Sequence, residues 1–161
     1  MPAMSAPQAV VILENVRSAH NVGAIFRTAE SVGVAKIYLV GYTPAPLDRF
    51  GRGVPDLQKT ALGADAMVPW EQHTYIGELI TGLKEEGFVI VAVERMEDAM
   101  DYKEYEPGDS VAFVFGNEID GVSTEALALA DTVISLPMKG RKESLNVSVA
   151  TGIVLYRVLD R

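Results

Sequence analysis

Short continuous apolar runs alternate along this chain with longer stretches whose apolar residues recur every three to four positions, and that alternation leaves few folds open. Residues 9–13 (AVVIL) form such a run, suited to a strand covered on both faces of a parallel sheet. Strand runs recur at 37–40, 66–70, 88–93, 111–115 and 132–136. Between the first two, Val22, Ile25, Phe26, Ala29 and Val32 keep helical spacing, with Asn21 placed as N-cap and Gly33 as the stop. Further helices are predicted at about 75–86 and 123–129. Strand and helix alternating with short connections predict one α/β domain, its sheet mostly parallel with helices on both faces. At 161 residues the chain can bury a substantial core without staples.

Two segments depart from this rhythm. Residues 41–55 hold Pro44, Pro46, Pro55, Gly51 and Gly53 and read as a long loop, the kind that serves as a binding loop or lid. The last helix, 146–159, carries Val147, Val149, Ala150, Ile153, Val154, Leu155, Val158 and Leu159 around most of its circumference. Such a helix needs cover on several sides, either deep in the core or across a subunit interface.

Composition removes several chemistries. There is no cysteine, hence no disulfide framework, thiolate nucleophile or Cys-based zinc site, and no metal is expected. No apolar run approaches a membrane span, and residues 1–7 resemble neither a signal nor a transit peptide, so a soluble, cytoplasmic protein is expected. The net charge of −8 argues against a polyanionic partner until its distribution is considered. Residues 1–60 hold six basic and four acidic side chains, 61–130 three and fifteen, and 131–161 five and three. Mildly basic ends around an acidic middle allow one face to meet a nucleic acid while the rest repels it.

Three constellations carry possible chemistry. In residues 14–27 (ENVRSAHNVGAIFR) a strand runs into a helix, whose first N–H groups favour phosphate, with Arg17 and Arg27 available for charge-assisted contacts. In residues 111–123 (VAFVFGNEIDGVS) a strand meets Gly-Asn-Glu-x-x-Gly, neither a dinucleotide fingerprint nor a phosphate loop with its lysine. Glu118 there suits a ligand contact, an anchor for a neighbouring loop, or a solvated turn. In residues 136–150 (LPMKGRKESLNVSVA) a basic loop bearing Lys139, Arg141 and Lys142 precedes the last helix. Ser144 and Asn146 can cap that helix or bond a ligand, and Met138 and Leu145 can sandwich a flat base.

Taken together, NVGAIFRTAE, FVFGNEIDGVS and LPMKGRKESLNVSVATGIVLYRV resemble, in order and spacing, the three signature motifs of the SpoU (TrmH-like) RNA 2′-O-ribose methyltransferases of the SPOUT superfamily. KTALGA at 59–64 resembles a segment between the first two. The resemblance spans nearly the whole chain. It implies a SpoU-type domain with a C-terminal trefoil knot, and a homodimer; unlike larger relatives the chain has almost nothing before the first strand, so a single domain over 1–161 with no appended RNA-binding domain is expected. It also implies S-adenosylmethionine as methyl donor and a ribose 2′-hydroxyl of tRNA or rRNA as acceptor.

The same resemblance assigns Arg27, Asn21, Glu118, Ser144 and Asn146 to catalysis. It places Phe115, Gly116, Asn117, Ile134, Leu136, Met138, Ser144 and Leu145 around the cofactor, and Arg17, Arg27, Lys139, Arg141 and Lys142 against RNA. A catalytically silent RNA-binding module and a small-molecule methyltransferase are the alternatives; the intact motif residues speak against the first, and weak salt dependence of substrate binding would favour the second.

Overall fold

In the computed structural model, which describes residues 6–160, five helices surround one seven-stranded sheet. The strands are β1 (Gln8–Glu14), β2 (Lys36–Val40), β3 (Trp70–His73), β4 (Val89–Val93), β5 (Met100–Asp101), β6 (Ser110–Phe115) and β7 (Thr132–Ser135). The helices are α1 (Ala19–Val32), α2 (Pro55–Ala61), α3 (Ile76–Glu85), α4 (Thr124–Leu129) and α5 (Val147–Leu159). The sheet order is β3-β2-β1-β6-β4-β7-β5 and every pairing is parallel. All strands therefore present their carboxyl ends along one edge.

The alternation of side chains along β1 shows why its run is apolar throughout. Val11 and Leu13 pack with Ile25, Phe26, Leu57, Val154 and Leu155 beneath α1, α2 and α5. Val10 and Ile12 point the other way, joining Ile80, Leu83, Ile90 and Ala126 beneath α3 and α4. Successive residues of a strand face opposite sides, so a sheet covered twice requires apolar residues at every position. Phe26 and Phe113 are fully buried, each contributing about 1.5–3 kcal/mol of apolar burial. Helices α1 and α2 approach closely only because residue 23 is glycine: a Cβ there would lie 2.1 Å from the Leu57 carbonyl oxygen and the Thr60 hydroxyl.

Several sequence expectations are corrected. Helix α1 begins at Ala19, not Val22, and its N-cap is Ser18, whose hydroxyl accepts from the Asn21 N–H; Asn21 sits inside the first turn. Both residues are good caps three positions apart, and the earlier one wins because its backbone N–H is itself held from outside the helix. Gly33 ends the helix as expected. The run 66–70 is not a strand: residues 64–66 form a 3₁₀ turn, and pairing with β2 starts only at Trp70. The loop 41–55 ends in α2, with Pro55 in its first turn. Strand β5, two residues on the sheet edge, is too short to leave a periodic signal.

Helix α5 is covered by the core on one side only. Val147, Thr151, Val154, Leu155 and Val158 are buried, while Val149, Ile153 and Tyr156 remain 37–49 % exposed on the other side. Among the described residues no helix is long and apolar enough to cross a membrane. The N-terminal residues 1–5, read above as unlike a leader, lie outside the described residues.

Candidate active site

Outside the carboxyl ends of β4, β6 and β7 lies a cavity of about 310 Å³, where ligands characteristically bind in open α/β sheets. Phe115 ends β6 and Gly116, Asn117 and Glu118 follow it, Leu136 and Met138 follow β7, and Ser144 and Leu145 lead into α5, which opens with Val147. Val93, Glu94 and Arg95 close the side beyond β4.

The loop after β6 is shaped by its own backbone. Asn117 and Gly121 exchange backbone hydrogen bonds of 3.1 and 3.0 Å. A Cβ on Gly116 would stand 2.3 Å from the carbonyl group of Gly121, so only glycine lets the loop fold back there. The buried Asn117 side chain serves the turn, accepting from Ile119 N and Asp120 N at 2.8 and 2.9 Å. Its amide donates to the Asn15 carbonyl and the Tyr42 hydroxyl at 2.8 and 2.9 Å. Two further carboxylates, neither of them singled out by its local sequence, hold this loop. Glu94 accepts from Val122 N at 2.8 Å, and the buried Glu14 accepts from the Ser123 N–H and hydroxyl at 3.0 and 2.8 Å.

At the rim, one carboxylate joins segments a hundred residues apart. Glu118 accepts from Arg17 N and Ser18 N, both at 3.0 Å, and from the Asn21 amide at 3.5 Å. Asn146 donates from its amide to the Asn21 side-chain oxygen at 3.2 Å and caps α5 by accepting from Ser148 N at 2.9 Å. Burial pushes the Glu118 carboxyl up, but the N–H groups of Arg17, Glu118 itself and Ser18, with the Asn21 amide, outweigh it and hold the group below its ordinary value. Of the three readings of Glu118, the geometry is that of an anchor between the first and second constellations.

The remaining predicted residues divide. Lys139, Arg141, Lys142 and Ser144 lie exposed on the loop before α5, and Arg17 is exposed before α1. Ile134 is fully buried in the core, and its carbonyl accepts from Glu94 N. Arg27 is not at the cavity. It is exposed in a separate depression with Ala24, Thr28, Glu30, Ser31, Lys59 and Thr60, sharing no residue with the cavity wall. Among the described residues no cluster of His, Asp and Glu could hold a metal ion.

The cavity suits a flat heterocycle attached to a cation. Phe115, Leu136, Met138 and Leu145 supply apolar walls, the glycine-containing loop brings backbone groups close, and Glu94, Glu118, Asp120 and Glu143 outnumber Arg95. S-adenosylmethionine, with its adenine and sulfonium, fits that description.

The sequence matches the SpoU rRNA methylase family over residues 8–156. It is 41 % identical over 150 residues to the tRNA (guanosine(18)-2′-O)-methyltransferase of Thermus thermophilus, covering 93 % of this chain and 73 % of that one. The Aquifex aeolicus TrmH/SpoU tRNA modifying enzyme superposes with a TM-score of 0.82 at 33 % identity, over 93 % of this chain and 73 % of that one. An AdoMet-bound rRNA methyltransferase from Sinorhizobium meliloti gives 0.83 at 28 % identity, over 95 % of this chain and 56 % of that one.

Proposed function

Because the chain belongs to the SpoU rRNA methylase family, we propose that it transfers the methyl group of S-adenosylmethionine to a ribose 2′-hydroxyl of tRNA or rRNA. The observation that carries this reading is the Glu118–Asn21–Asn146 junction, which gathers all three motifs at the rim of one cavity. The trefoil knot expected of the C-terminal part rests on family membership.

Phe115, Leu136, Met138 and Leu145 would hold the adenine, with backbone groups of the surrounding loops reading its edge. When bound, S-adenosylmethionine supplies a methyl electrophile whose sulfur departs as a neutral thioether once the ribose oxygen takes the carbon. The chain's own tasks are then alignment and help for a weak nucleophile. Ser144 and Asn146 position the ribose and the loop. A guanidinium is a fixed cation rather than a base, so Arg27 acts as an electrostatic partner of the developing alkoxide while the adjacent RNA phosphate or solvent accepts the proton. Arg17, Lys139, Arg141 and Lys142 contact the RNA backbone.

A homodimer reconciles Arg27 with its distance from the cavity. The exposed Val149, Ile153 and Tyr156 of α5 form an apolar face, and the Tyr156 hydroxyl lies 3.0 Å from that of Ser31, which lines the Arg27 depression. We propose that a second copy covers that face with its cavity beside Arg27.

Labelled S-adenosylmethionine incubated with unmodified tRNA and ribosomal RNA, followed by nucleoside analysis, tests the reaction; label on a ribose is the expected result. Cofactor binding without label in any RNA would refute RNA as the substrate. Arg27→Ala should lower turnover by about 10²–10³-fold with cofactor affinity unchanged. Mixing Arg27→Ala with a chain disabled at the cavity should restore activity if the arginine acts across two copies, and should not if each chain works alone.

A further inference from the structure

Within the long loop between β2 and α2, residues 48–52 (DRFGR) form a turn whose composition the reaction above does not use. Phe50 stands 66 % exposed, and the guanidinium carbons of Arg49 and Arg52 lie 4.7 and 4.9 Å from its ring centroid. The turn is tied from within. Asp48 accepts from Phe50 N at 2.8 Å, Arg52 N at 3.0 Å and Arg52 Nε at 3.1 Å. Asp48 N donates to the Arg52 carbonyl at 2.8 Å, and Leu47 pairs with Gly53 in an antiparallel bridge.

The root of this loop is fixed at the edge of the sheet that holds the cavity. The Thr43 hydroxyl is bonded to the carbonyls of Leu13 and Val40, Tyr42 N donates to the Asn15 side chain, and the Tyr42 hydroxyl accepts from Asn117 in the cavity wall. A ring held out in solvent by a braced turn gains nothing from burial. Asp48 already pairs with Arg52, while Arg49 over the same ring has no carboxylate partner among the described residues, so the turn keeps positive charge available to an anion beside Phe50.

We propose that this turn docks an unpaired nucleotide of the RNA substrate, the base stacking on Phe50 and the adjoining phosphate held by Arg49 and Arg52. The inference rests on the RNA reading above and adds to it a recognition element for single-stranded rather than paired RNA. Stacking on an aromatic ring tolerates every base, since each has a π-face, so the turn contributes affinity and position rather than sequence choice. In a chain of net charge −8 it also supplies cations where the polyanion must approach.

Fluorescence anisotropy of a labelled mixed-sequence single-stranded RNA, and of the same RNA annealed to its complement, tests this with the full chain. Phe50→Ala should weaken single-strand binding at least about fivefold and duplex binding little, and Phe50→Tyr should bind like the parent. Replacing both Arg49 and Arg52 by Ala removes the contact to that one phosphate and should reduce the slope of log K against log salt by about 0.7 for a single strand. Melting temperature and cofactor affinity should not move in either variant. Single-strand affinity unchanged in Phe50→Ala, or loss equal on both RNAs, overturns the proposal even if the parent methylates RNA. Because binding is read directly, an absence of methylation would count against the reaction and leave this test intact.

Discussion

Truncating Glu118 distinguishes an anchor from a substrate contact. Its carboxylate receives two backbone N–H bonds of 3.0 Å, from Arg17 and Ser18, just ahead of α1. Bonds to a charged group contribute about 1.5–3 kcal/mol each when shielded. Here the group is partly exposed and water can replace the lost acceptor, so about 1–2 kcal/mol in total is the reasonable cost of Glu118→Ala. For a chain of this length each kcal/mol moves the melting temperature by about 2–4 °C, giving a fall of about 2–8 °C. Glu118→Gln keeps one acceptor and should lose roughly half as much.

The acid dependence has a definite sign. The folded carboxyl lies below its ordinary value of 4.5, so its stabilisation is complete above that value and fades as pH falls through the lower folded one. Circular dichroism melts of parent and Glu118→Ala should therefore differ at neutral pH and converge as the pH falls below 4.5 and through the lower folded value. An unchanged melting temperature together with lost turnover would refute the anchor and make Glu118 a contact to substrate. A gap that persists in acid would show that the stabilisation does not come from the carboxylate.

Other substitutions probe the neighbouring parts. Ser18→Ala should cost about 1 kcal/mol in urea unfolding, whereas Asn21→Ala should cost only a few tenths, the reverse of what a cap at Asn21 requires. Gly116→Ala forces the new Cβ against the backbone of Gly121 and Val122; a loss of at least about 1–3 kcal/mol, with cofactor binding abolished by calorimetry, is the expected outcome. Ile153→Asp puts a charge on the exposed face of α5, and size-exclusion chromatography should show monomers with little change in helix content by circular dichroism.

What the sequence made legible was whatever leaves a periodic or compositional trace. The apolar runs at β1, β4 and β6, the helical spacing of α1 and the stop at Gly33 follow from burial and from backbone conformation, which act locally. The cavity walls at Met138 and Leu145 were foreseeable because an apolar pair in a basic loop has few other uses. Glu14, Glu94 and Thr43 were not. Each accepts from a backbone N–H 27 to 109 residues away, and nothing in its immediate neighbours announces that distant donor. Asn21 shows the intermediate case: its position beside a helix start was visible, but whether it caps that helix or bridges to Glu118 and Asn146 depends on loops that fold over it.

Arg27 and Asn21 were read as parts of one motif and therefore of one site, yet helix geometry alone separates them. Six residues apart, they are rotated by about 120° from one another and offset by about 9 Å along the axis. A helix that aims Asn21 at Glu118 must turn Arg27 onto another face, where it lies beside Lys59 and Thr60 of α2. In the dimer proposed above, both residues serve the same methyl transfer because the surface bearing Arg27 meets the cavity of a second chain. The exposed apolar face of α5 adjoins Arg27 through Tyr156 and Ser31. The proposal of two copies thus draws on the pitch of one helix and on the place where its neighbour leaves apolar surface uncovered.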